Sequence, residues 1–388
     1  MKQAETVNNK RRYGFAKPSL VRIFSLIDGI GGALVRPFRR RGAWPDPQRI
    51  ALVNFAHIGD VLLTTPAIAA IRSRYPHAHL TMVVAPWSEA VVAHNPRLDD
   101  VIAYRPSWWD RSRGSPYFIP SEFWALVQLV RHQRCDWVIS FKSFFQENLA
   151  FALAGVPRRI GYGLYGGGFL QTDLVPFKWE AHTVLQHLAL CAAVDAPAST
   201  LKLEMFVAPE DERAADALIG TARRPLIAMH VGAGYPSKLW PIDRYAELAN
   251  RLAEQHAATI VFVGGNDDLP LIERLPIDLR APHIIAAGRL SVPQTAALIT
   301  RCVAFVGNDS GPAHIAAAVG TPAVVIFSGE NDVSRWKPWG DPVLALQHLP
   351  ECGLCGLKVC NRDHVCMTSI SVEQVQAAVS GVVGWSTR

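Results

Sequence analysis

VAFVGNDSGPAHIAAAVGTPAVVIF, residues 303–327, is the most informative stretch of this sequence. Its two short apolar runs, 303–306 and 323–327, are typical of buried strands, and the small-residue segment 314–319 between them is typical of a helix. Gly320 suits the left-handed residue that often ends a helix, and Pro322 prevents continuation. The stretch therefore predicts a strand, a helix and a second strand, which is the building block of a parallel sheet.

The loop inside this stretch, residues 307–312, has two interpretations. A glycine lets the backbone approach a ligand closely, and the free N–H groups at the start of the next helix attract a diphosphate. Alternatively, Asp309 and Ser310 cap the helix and the Gly-Pro pair makes a tight turn. The loop alone favours neither, and one loop can do both.

The rest of the chain repeats the alternation of strand and helix. Apolar runs predict further strands at residues 50–55, 80–84, 101–104, 137–141, 226–230 and 259–264. Helical patterns separate them, so the sequence predicts doubly wound parallel α/β sheets. The loops at 231–241 and 264–267 also follow strands and carry glycines. Because strand ends in such a sheet meet at one edge, three loops are expected to converge on one ligand.

Length and composition indicate a globular chain of more than one domain. The chain has 388 residues, of which 49% are hydrophobic and 19% charged, too many residues for one ordinary core. No apolar run reaches the ~18–20 residues of a membrane-spanning helix. We expect an extension at residues 1–45, a first domain at 46–205, a second at 206–350, and a tail with a C-terminal helix, 351–388, that packs back on the body.

The positive charge is concentrated in the extension. Residues 1–41 hold ten Lys/Arg and two acids, a net +8, so the rest of the chain, with +6 overall, carries −2. A body of that charge argues against nucleic acid as the main partner. Apolar residues recur every three to four positions between 20 and 38, beside an arginine cluster at 36–41. This pattern predicts either an amphipathic segment on an anionic membrane face or a helix packed on the body with a solvated basic tail.

The seven cysteines and the N-terminus favour a reducing, cytoplasmic location. The cysteine count is odd, three cysteines lie in apolar contexts, and the first residues lack a signal-peptide pattern. Cys352, Cys355, Cys360 and Cys366, with His364, have a spacing that a structural zinc site could use, although reduced thiols in a packed tail are the favoured interpretation.

A second glycine motif is interpreted as a loop. Residues 161–166, GYGLYG, fit the dinucleotide-binding pattern, but that pattern has meaning only between a strand and a helix. Two more glycines follow, and the next residues have no helical period.

Four ordered motifs resemble glycosyltransferase family 9, the bacterial heptosyltransferase-type enzymes. They are IGDVLLTTPAIAAIRSRYP (58–76), HVGAGYPSKLWP (230–241), FVGNDSGPAHIAAAVGTPAVVIF (305–327) and CGLCGLKVCNRDHVCMTSISVEQV (352–375). The resemblance implies a GT-B architecture, two Rossmann-like domains facing across a cleft. The N-terminal domain would take the acceptor and the C-terminal domain the ADP-sugar. It also implies inversion at the sugar and no metal or other cofactor. Independently, the chain has no D-x-D triplet, the usual carboxylate pair of a nucleotide-sugar metal site.

The resemblance also assigns roles to individual residues. Asp60 matches the catalytic base, which would take the acceptor hydroxyl's proton; the alternative is a helix N-cap. Lys238 matches a phosphate-binding lysine that offsets leaving-group charge; the alternative is an exposed loop lysine. The expected nucleotide-sugar contacts are Gly232, Ala233, Gly234, Gly264, Gly265, Leu290, Asp309, Ser310, Gly311 and His314, with Ser310 replacing the family's Thr. Candidate acceptor contacts are His57, Arg111 and Arg113.

Some positions depart from the family pattern. Residues 328–330, Ser-Gly-Glu, and the pair Phe141-Lys142 differ from the residues often found there, and the insertion at 108–120 and the basic extension are unfamiliar.

From the resemblance we expect an enzyme that moves heptose or a related sugar from ADP to a lipopolysaccharide core or other lipid-linked saccharide. Its expected place is the cytoplasm, with peripheral contact to the anionic face of the inner membrane. The alternatives are another nucleotide-sugar donor, or a sugar-nucleotide sensor without catalysis.

Overall fold

The structure, a computed structural model, describes residues 13–14, 17–35, 43–110, 118–276 and 279–385. These residues divide into two compact units. The first holds the described residues up to Glu89 together with Pro96–Leu201, and the second holds Ala90–Asn95 and the described residues from Lys202 onward. The tail that the sequence sets apart at 351–388 therefore clusters with the second unit. The expectation of two α/β domains is confirmed.

Helices and strands alternate through both units. Up to residue 201 they are α1 (Pro18–Val35), β1 (Arg49–Asn54), α2 (Ile58–Leu62), α3 (Thr65–Arg74), β2 (His79–Val84), α4 (Glu89–Val92), β3 (Asp100–Ala103), α5 (Pro120–Gln133), β4 (Trp137–Ser140), α6 (Phe145–Leu153), β5 (Arg158–Gly161), β6 (Asp173–Leu174) and α7 (Thr183–Ala192). After it they are α8 (Pro209–Ile219), β7 (Leu226–His230), α9 (Ile242–His256), β8 (Thr259–Phe262), α10 (Leu269–Ile272), β9 (His283–Ile285), α11 (Val292–Ile299), β10 (Ala304–Asn308), α12 (Gly311–Ala318), β11 (Ala323–Phe327), α13 (Val333–Trp336), β12 (Val343–Gln347), α14 (Val365–Thr368) and α15 (Val372–Val383).

Each unit is built on a six-stranded parallel sheet, and the two sheets share one plan. The strand orders are β3-β2-β1-β4-β5-β6 and β12-β11-β10-β7-β8-β9. In each sheet the order of strands reverses once, between β1 and β4 in the first unit and between β7 and β10 in the second. Val53 pairs with Ser140 at the first reversal, and His230 with Gly307 at the second. In open parallel sheets ligands bind outside the carboxyl ends of the strands at this reversal.

The central strands are buried because helices cover both faces of each sheet. All five residues of β7, β10 and β11 are buried, as expected for the continuous apolar runs of parallel strands. In the second unit the core includes residues of α15 and the segment before it, among them Met367, Val375 and Val379. The C-terminal helix is therefore part of that core.

The helix α1 packs on the rest of the first unit along a narrow face. Its buried Asp28 accepts hydrogen bonds from the Tyr13 hydroxyl and the Gly167 N–H, both at 2.8 Å. A Cβ on Gly31 would lie 2.6 Å from the Phe169 ring, so the absent side chain permits the close approach. The glycine-rich loop 161–168 thus forms part of the surface on which α1 packs. A 3-10 turn, Gly168–Leu170, follows this loop, whereas a dinucleotide-binding fold requires a helix there.

The other face of α1 is apolar and exposed. Large exposed side chains recur along it at helical spacing: Ile23 (52%), Leu26 (64%), Ile27 (36%), Ile30 (55%) and Leu34 (67%). Among the described residues α1 is the one helix long and apolar enough to cross a membrane, with mean hydropathy 1.4 over 18 residues. The expectation that no apolar segment reaches that length was wrong, because Arg22 and Asp28 interrupt the run without lowering its average below that of a spanning helix.

Candidate active site

In the first unit a carboxylate and an ammonium group meet at the strand reversal. Asp60 lies in the first turn of α2, shortly after β1, and Lys142 lies two residues after β4. Nζ of Lys142 donates to Oδ1 of Asp60 at 2.6 Å, and the two side chains are 18% and 19% exposed. An adjacent cation favours the ionised carboxylate, which is the form a general base needs.

Asp60 does not occupy the N-cap position of α2. That position is taken by His57, whose backbone is extended and whose side chain makes no capping hydrogen bond. The Asp60 carbonyl accepts a hydrogen bond from Nδ2 of Asn54 at 3.2 Å, which ties α2 to the end of β1. The helix N-cap interpretation of Asp60 is therefore wrong, and its carboxylate is turned toward Lys142.

A buried histidine lies beside this ion pair. His187 of α7 contacts the Leu63 carbonyl through Nδ1 at 3.0 Å and is 2% exposed. Burial lowers its pKa to about 3, and the charge of Lys142 acts in the same direction. His187 is thus neutral at physiological pH.

The predicted acceptor contacts are placed only in part. His57 lies three residues before Asp60, with its ring centroid 5.9 Å from that of Trp87. Arg111 and Arg113 lie outside the described residues. The insertion is anchored before them by Trp108 and Trp109, whose indole N–H groups donate to the buried Glu147 at 3.2 and 2.9 Å.

In the second unit Lys238 is buried between two carboxylates. It ends the 3-10 turn Pro236–Lys238, and its Nζ lies 2.8 Å from Oδ2 of Asp309 and 3.1 Å from Oε2 of Glu330. Burial acts to lower the pKa of Lys238, but the two acids outweigh it and the net shift is upward. Nδ2 of Asn331 also donates to Asp309, at 2.6 Å. Lys238 is therefore a charged, fixed residue, and the exposed-loop interpretation is wrong.

A second polar group of the same unit links Ser310, His230 and Asp268. The Ser310 hydroxyl lies 2.9 Å from Nδ1 of His230, and Nε2 of His230 lies 3.2 Å from Oδ2 of Asp268. Burial acts to raise the pKa of Asp268, but the hydrogen bond and charge of His230 and the Gly265 N–H lower it overall. Ser310 is the N-cap of α12, so this group fixes a hydroxyl at the helix N-terminus where anions bind.

The predicted glycines make room for this group. A Cβ on Gly232 would lie 1.8 Å from Oδ1 of Asp268, and one on Gly264 would lie 2.3 Å from Oδ2. The Gly265 N–H donates to the same carboxylate at 2.8 Å. These glycines thus accommodate the carboxylate of Asp268, a role that the sequence analysis did not predict. Of the remaining predicted contacts, Ala233 is half-buried and Gly234 exposed in the loop after β7, and Leu290 is half-buried just before α11.

The start of α12 joins the two groups. Asp309 and Ser310 directly follow β10, Gly311 begins α12 and His314 is buried in it. Asn308, at the end of β10, donates to the carbonyls of Val231 and Gly232 and accepts from the Trp240 N–H at 3.1 Å. Asn308 therefore holds the glycine loop and the Lys238 segment at the same strand reversal.

Comparison with known proteins identifies the family. The model of glycosyltransferase family 9 (heptosyltransferase) matches residues 123–365, more than half of the chain. The chain belongs to glycosyltransferase family 9. As a member of that family it is an enzyme, a glycosyltransferase.

The relatives of this family 9 enzyme agree in fold. Lipopolysaccharide heptosyltransferase 3 of Escherichia coli is 24% identical over 302 residues, 74% of this chain and 85% of the relative. A glycosyl transferase family 9 structure from Veillonella parvula matches with a TM-score of 0.72 and 22% identity, covering 87% of this chain and 98% of that one. The structure of Escherichia coli ADP-heptose lps heptosyltransferase II matches with a TM-score of 0.70 and 22% identity, covering 86% of this chain and 98% of that one. The expected GT-B fold is confirmed.

The tail of the family 9 enzyme supports the Lys238 turn. The Ser237 N–H donates to the Lys358 carbonyl at 3.2 Å, His364 Nε2 lies 2.6 Å from the Ser237 carbonyl, and the Cys355 N–H donates to Gly329 at 2.7 Å. All seven cysteines are free thiols. Among the described residues, which include these cysteines, no group of three or more His, Cys, Asp or Glu side chains is arranged to hold a metal ion.

Several residues of the candidate site were not predicted as such. Lys142 and Glu330 were noticed only as departures from the family pattern, and both contact predicted catalytic residues. His230, Asp268 and Asn308 are polar residues at or shortly after the ends of buried strands. That position is a usable sequence signal, because functional groups of α/β sheets gather at strand ends.

Proposed function

We propose that this family 9 enzyme transfers heptose from ADP-heptose to the core of lipopolysaccharide or a similar lipid-linked saccharide. The names of its relatives support the sugar, the donor and the acceptor class. The observation that carries the proposal is the pair of charged groups, Asp60–Lys142 and Lys238–Asp309–Glu330, each at the strand reversal of its own unit.

The proposed reaction is a single displacement with inversion. Asp60 takes the proton of the acceptor hydroxyl while that oxygen forms a bond to the anomeric carbon, and the bond from that carbon to the ADP oxygen breaks. The positive charge that stabilises the leaving diphosphate comes from Lys238 and the N-terminus of α12, without a metal. The Ser310 hydroxyl, which contacts His230 and donates to the Asn308 carbonyl at 3.1 Å, would turn its proton to a phosphate oxygen when the diphosphate binds.

The test is Asp60→Asn, which keeps the shape of the side chain and an oxygen that can accept from Lys142. We expect turnover with ADP-heptose and a truncated lipopolysaccharide to fall by ~10²–10⁴-fold. ADP affinity and melting temperature should stay near wild type. Near-normal turnover would exclude Asp60 as the base, and a collapsed melting temperature would make it structural.

A second candidate function keeps the fold and changes the donor sugar. Glu330, in the segment that departs from the family pattern, contacts Lys238, so the change lies beside the proposed diphosphate site. A screen of hydrolysis and transfer over several nucleotide sugars decides between the two. Turnover with ADP-heptose at least tenfold above all other donors supports the first proposal, and a faster alternative donor supports the second.

We also propose that the enzyme lies on the cytoplasmic face of the inner membrane. The exposed apolar side chains of α1 and the arginine-rich sequence that follows them support this placement. A lipid-linked acceptor presents its sugars at that surface, so membrane contact would keep the enzyme near its substrate.

A further inference from the structure

Lys142 lies in a tightly constrained turn after β4. The next residue, Ser143, has φ of 56°, a left-handed conformation that is uncommon for a residue other than glycine. Its N–H donates to Oγ of Ser140 at 3.1 Å, its own hydroxyl donates to the Ser140 carbonyl at 3.1 Å, and the Tyr162 N–H donates to that hydroxyl at 3.0 Å. Local strain of this kind persists where the surrounding structure holds it, and it is frequent at active sites.

The turn faces Asp60 because of the sheet order. Asp60 and Lys142 are 82 residues apart in sequence, but β1 and β4 are neighbours in the sheet, and the pair lies beyond their carboxyl ends. Neither side chain is more than a fifth exposed, so solvent screens the pair less than it would at the surface. The pair thus occupies the position where the base of the proposed reaction must meet the acceptor.

Among the described residues, Lys142 places its ammonium group 2.6 Å from Asp60, and three histidines belong to the neighbouring elements. His187 and His182 come from α7 and its N-cap, and His57 is the N-cap of α2. Burial and Lys142 keep His187 neutral, with a pKa of about 3. Its effect on Asp60 at neutral pH is therefore that of a dipole, whereas Lys142 brings a full charge within hydrogen-bonding distance.

We infer that Lys142 is a positioning residue that holds Asp60 in its ionised form and orients the carboxylate toward the acceptor. The inference rests on the proposed function, in which Asp60 is the base. Lys142 does not itself contact the reacting atoms. Its ammonium lowers the pH at which the base becomes protonated, so that transfer continues in mildly acidic conditions.

The experiment compares pH profiles of turnover for wild type, Lys142→Gln, Lys142→Arg and Lys178→Met. Lys178 is an exposed lysine of the same unit, and its replacement removes one positive charge elsewhere. In Lys142→Gln we expect the acid limb of the profile to move to higher pH by about one to three units, the range for an opposite charge within 4–6 Å. The limb should stay in place in Lys142→Arg and Lys178→Met. If the acid limb of the profile stays in place in Lys142→Gln, the inference is wrong, whatever the turnover rate of the variant.

A direct titration separates this inference from the proposed function. Carbon-13 NMR of the aspartate carboxyl groups, with Asp60 assigned by its loss in Asp60→Asn, reads the protonation of Asp60 without turnover. A midpoint that rises in Lys142→Gln supports the inference even if ADP-heptose proves to be the wrong donor. An unchanged midpoint in folded Lys142→Gln overturns it, even if the enzyme transfers heptose.

Discussion

His187 has a consequence for stability that can be measured without a substrate. Because burial lowers its folded pKa to about 3, the unfolded chain binds more protons than the folded chain between that value and about 6.5. The contribution of neutral His187 to stability is complete above pH 6.5 and is lost as the pH falls. At pH 5 the loss is about 2 kcal/mol.

The test is the pH dependence of the unfolding free energy in His187→Asn. Asn can still donate to the Leu63 carbonyl but does not titrate, so the variant should lose about 2 kcal/mol less than wild type between pH 7 and pH 5. Urea unfolding at pH 7, 6 and 5 measures this. The exposed His77→Asn serves as control and should follow the wild-type slope. A wild-type slope in His187→Asn as well would show that His187 takes up its proton at the same pH in the folded protein as in the unfolded chain.

Replacement of Lys238 should change both ADP binding and the stability of the fold, and the two effects can be measured separately. Its side chain is 11% exposed, and its removal would leave the carboxylates of Asp309 and Glu330 without their shared cation. Breaking a buried ion pair on one side typically costs ~3–5 kcal/mol. Lys238→Met should therefore both destabilise the fold and weaken ADP binding, the latter by ~1.5–3 kcal/mol.

The double variant Lys238→Met with Glu330→Gln distinguishes the two effects. Removal of one negative charge should restore most of the melting temperature, whereas ADP affinity measured by calorimetry should stay low because the lysine is still absent. If the double variant recovers wild-type ADP affinity, Lys238 serves only to neutralise its neighbours. If Lys238→Met binds ADP normally, the phosphate-binding role is wrong.

The helix α1 combines two surfaces. The residues that dock on the first unit include Phe24, Asp28 and Gly31, and the exposed stripe runs through Ile23, Leu26, Ile27, Ile30 and Leu34. At 3.6 residues per turn the middles of the two faces lie ~110° apart around the helix. The stripe therefore points neither into the protein nor directly away from it, and α1 can stay docked while its stripe enters a lipid surface.

The prediction for α1 concerns binding to anionic vesicles. Ile30→Glu with Leu34→Glu should reduce binding at least tenfold more than Ser25→Glu with Gly29→Glu. Both pairs add two negative charges, and only the first replaces apolar stripe residues. Vesicle sedimentation at low and high salt measures it. The difference between the pairs should survive high salt, which screens charges but not apolar burial. Equal binding of the two pairs would contradict an apolar contribution.

The glycines of α1 show why sequence analysis underestimates some helices. Gly29, Gly31 and Gly32 lower helix propensity by about 1 kcal/mol each relative to Ala, so the sequence gives only a weak prediction for residues 18–35. Packing outweighs this loss of helix propensity, because the missing side chain of Gly31 lets the Phe169 ring pack against the helix. Four strands, β5, β6, β9 and β12, were missed. Of these, β6 and β9 have only two and three residues, and such short runs have no measurable periodicity.

In the molecule as a whole, the sequence predicts most of the central strands but not which strands become neighbours. The apolar runs located the central strands to within one or two residues, since buried parallel strands are apolar throughout. The contact of Lys142 with Asp60 depends on the adjacency of β1 and β4, which no local pattern records. For the same reason Asp309 and Lys238 could be predicted individually, whereas their shared neighbour Glu330 could not.

The C-terminal helix determines when the second unit can fold during translation. Met367, Val375 and Val379 lie in the core of the second unit, together with residues of β7 and β10 that are synthesised more than sixty residues earlier. While the chain is being translated, the apolar face that α15 will cover stays exposed until Val372–Val383 emerge. The first unit, complete near residue 201, can fold before the rest is synthesised, but the second is expected to fold only after α15 has emerged from the ribosome. Ribosomes that stall shortly before Val372 should therefore carry a folded first unit and an aggregation-prone second unit, which is a substrate for chaperones.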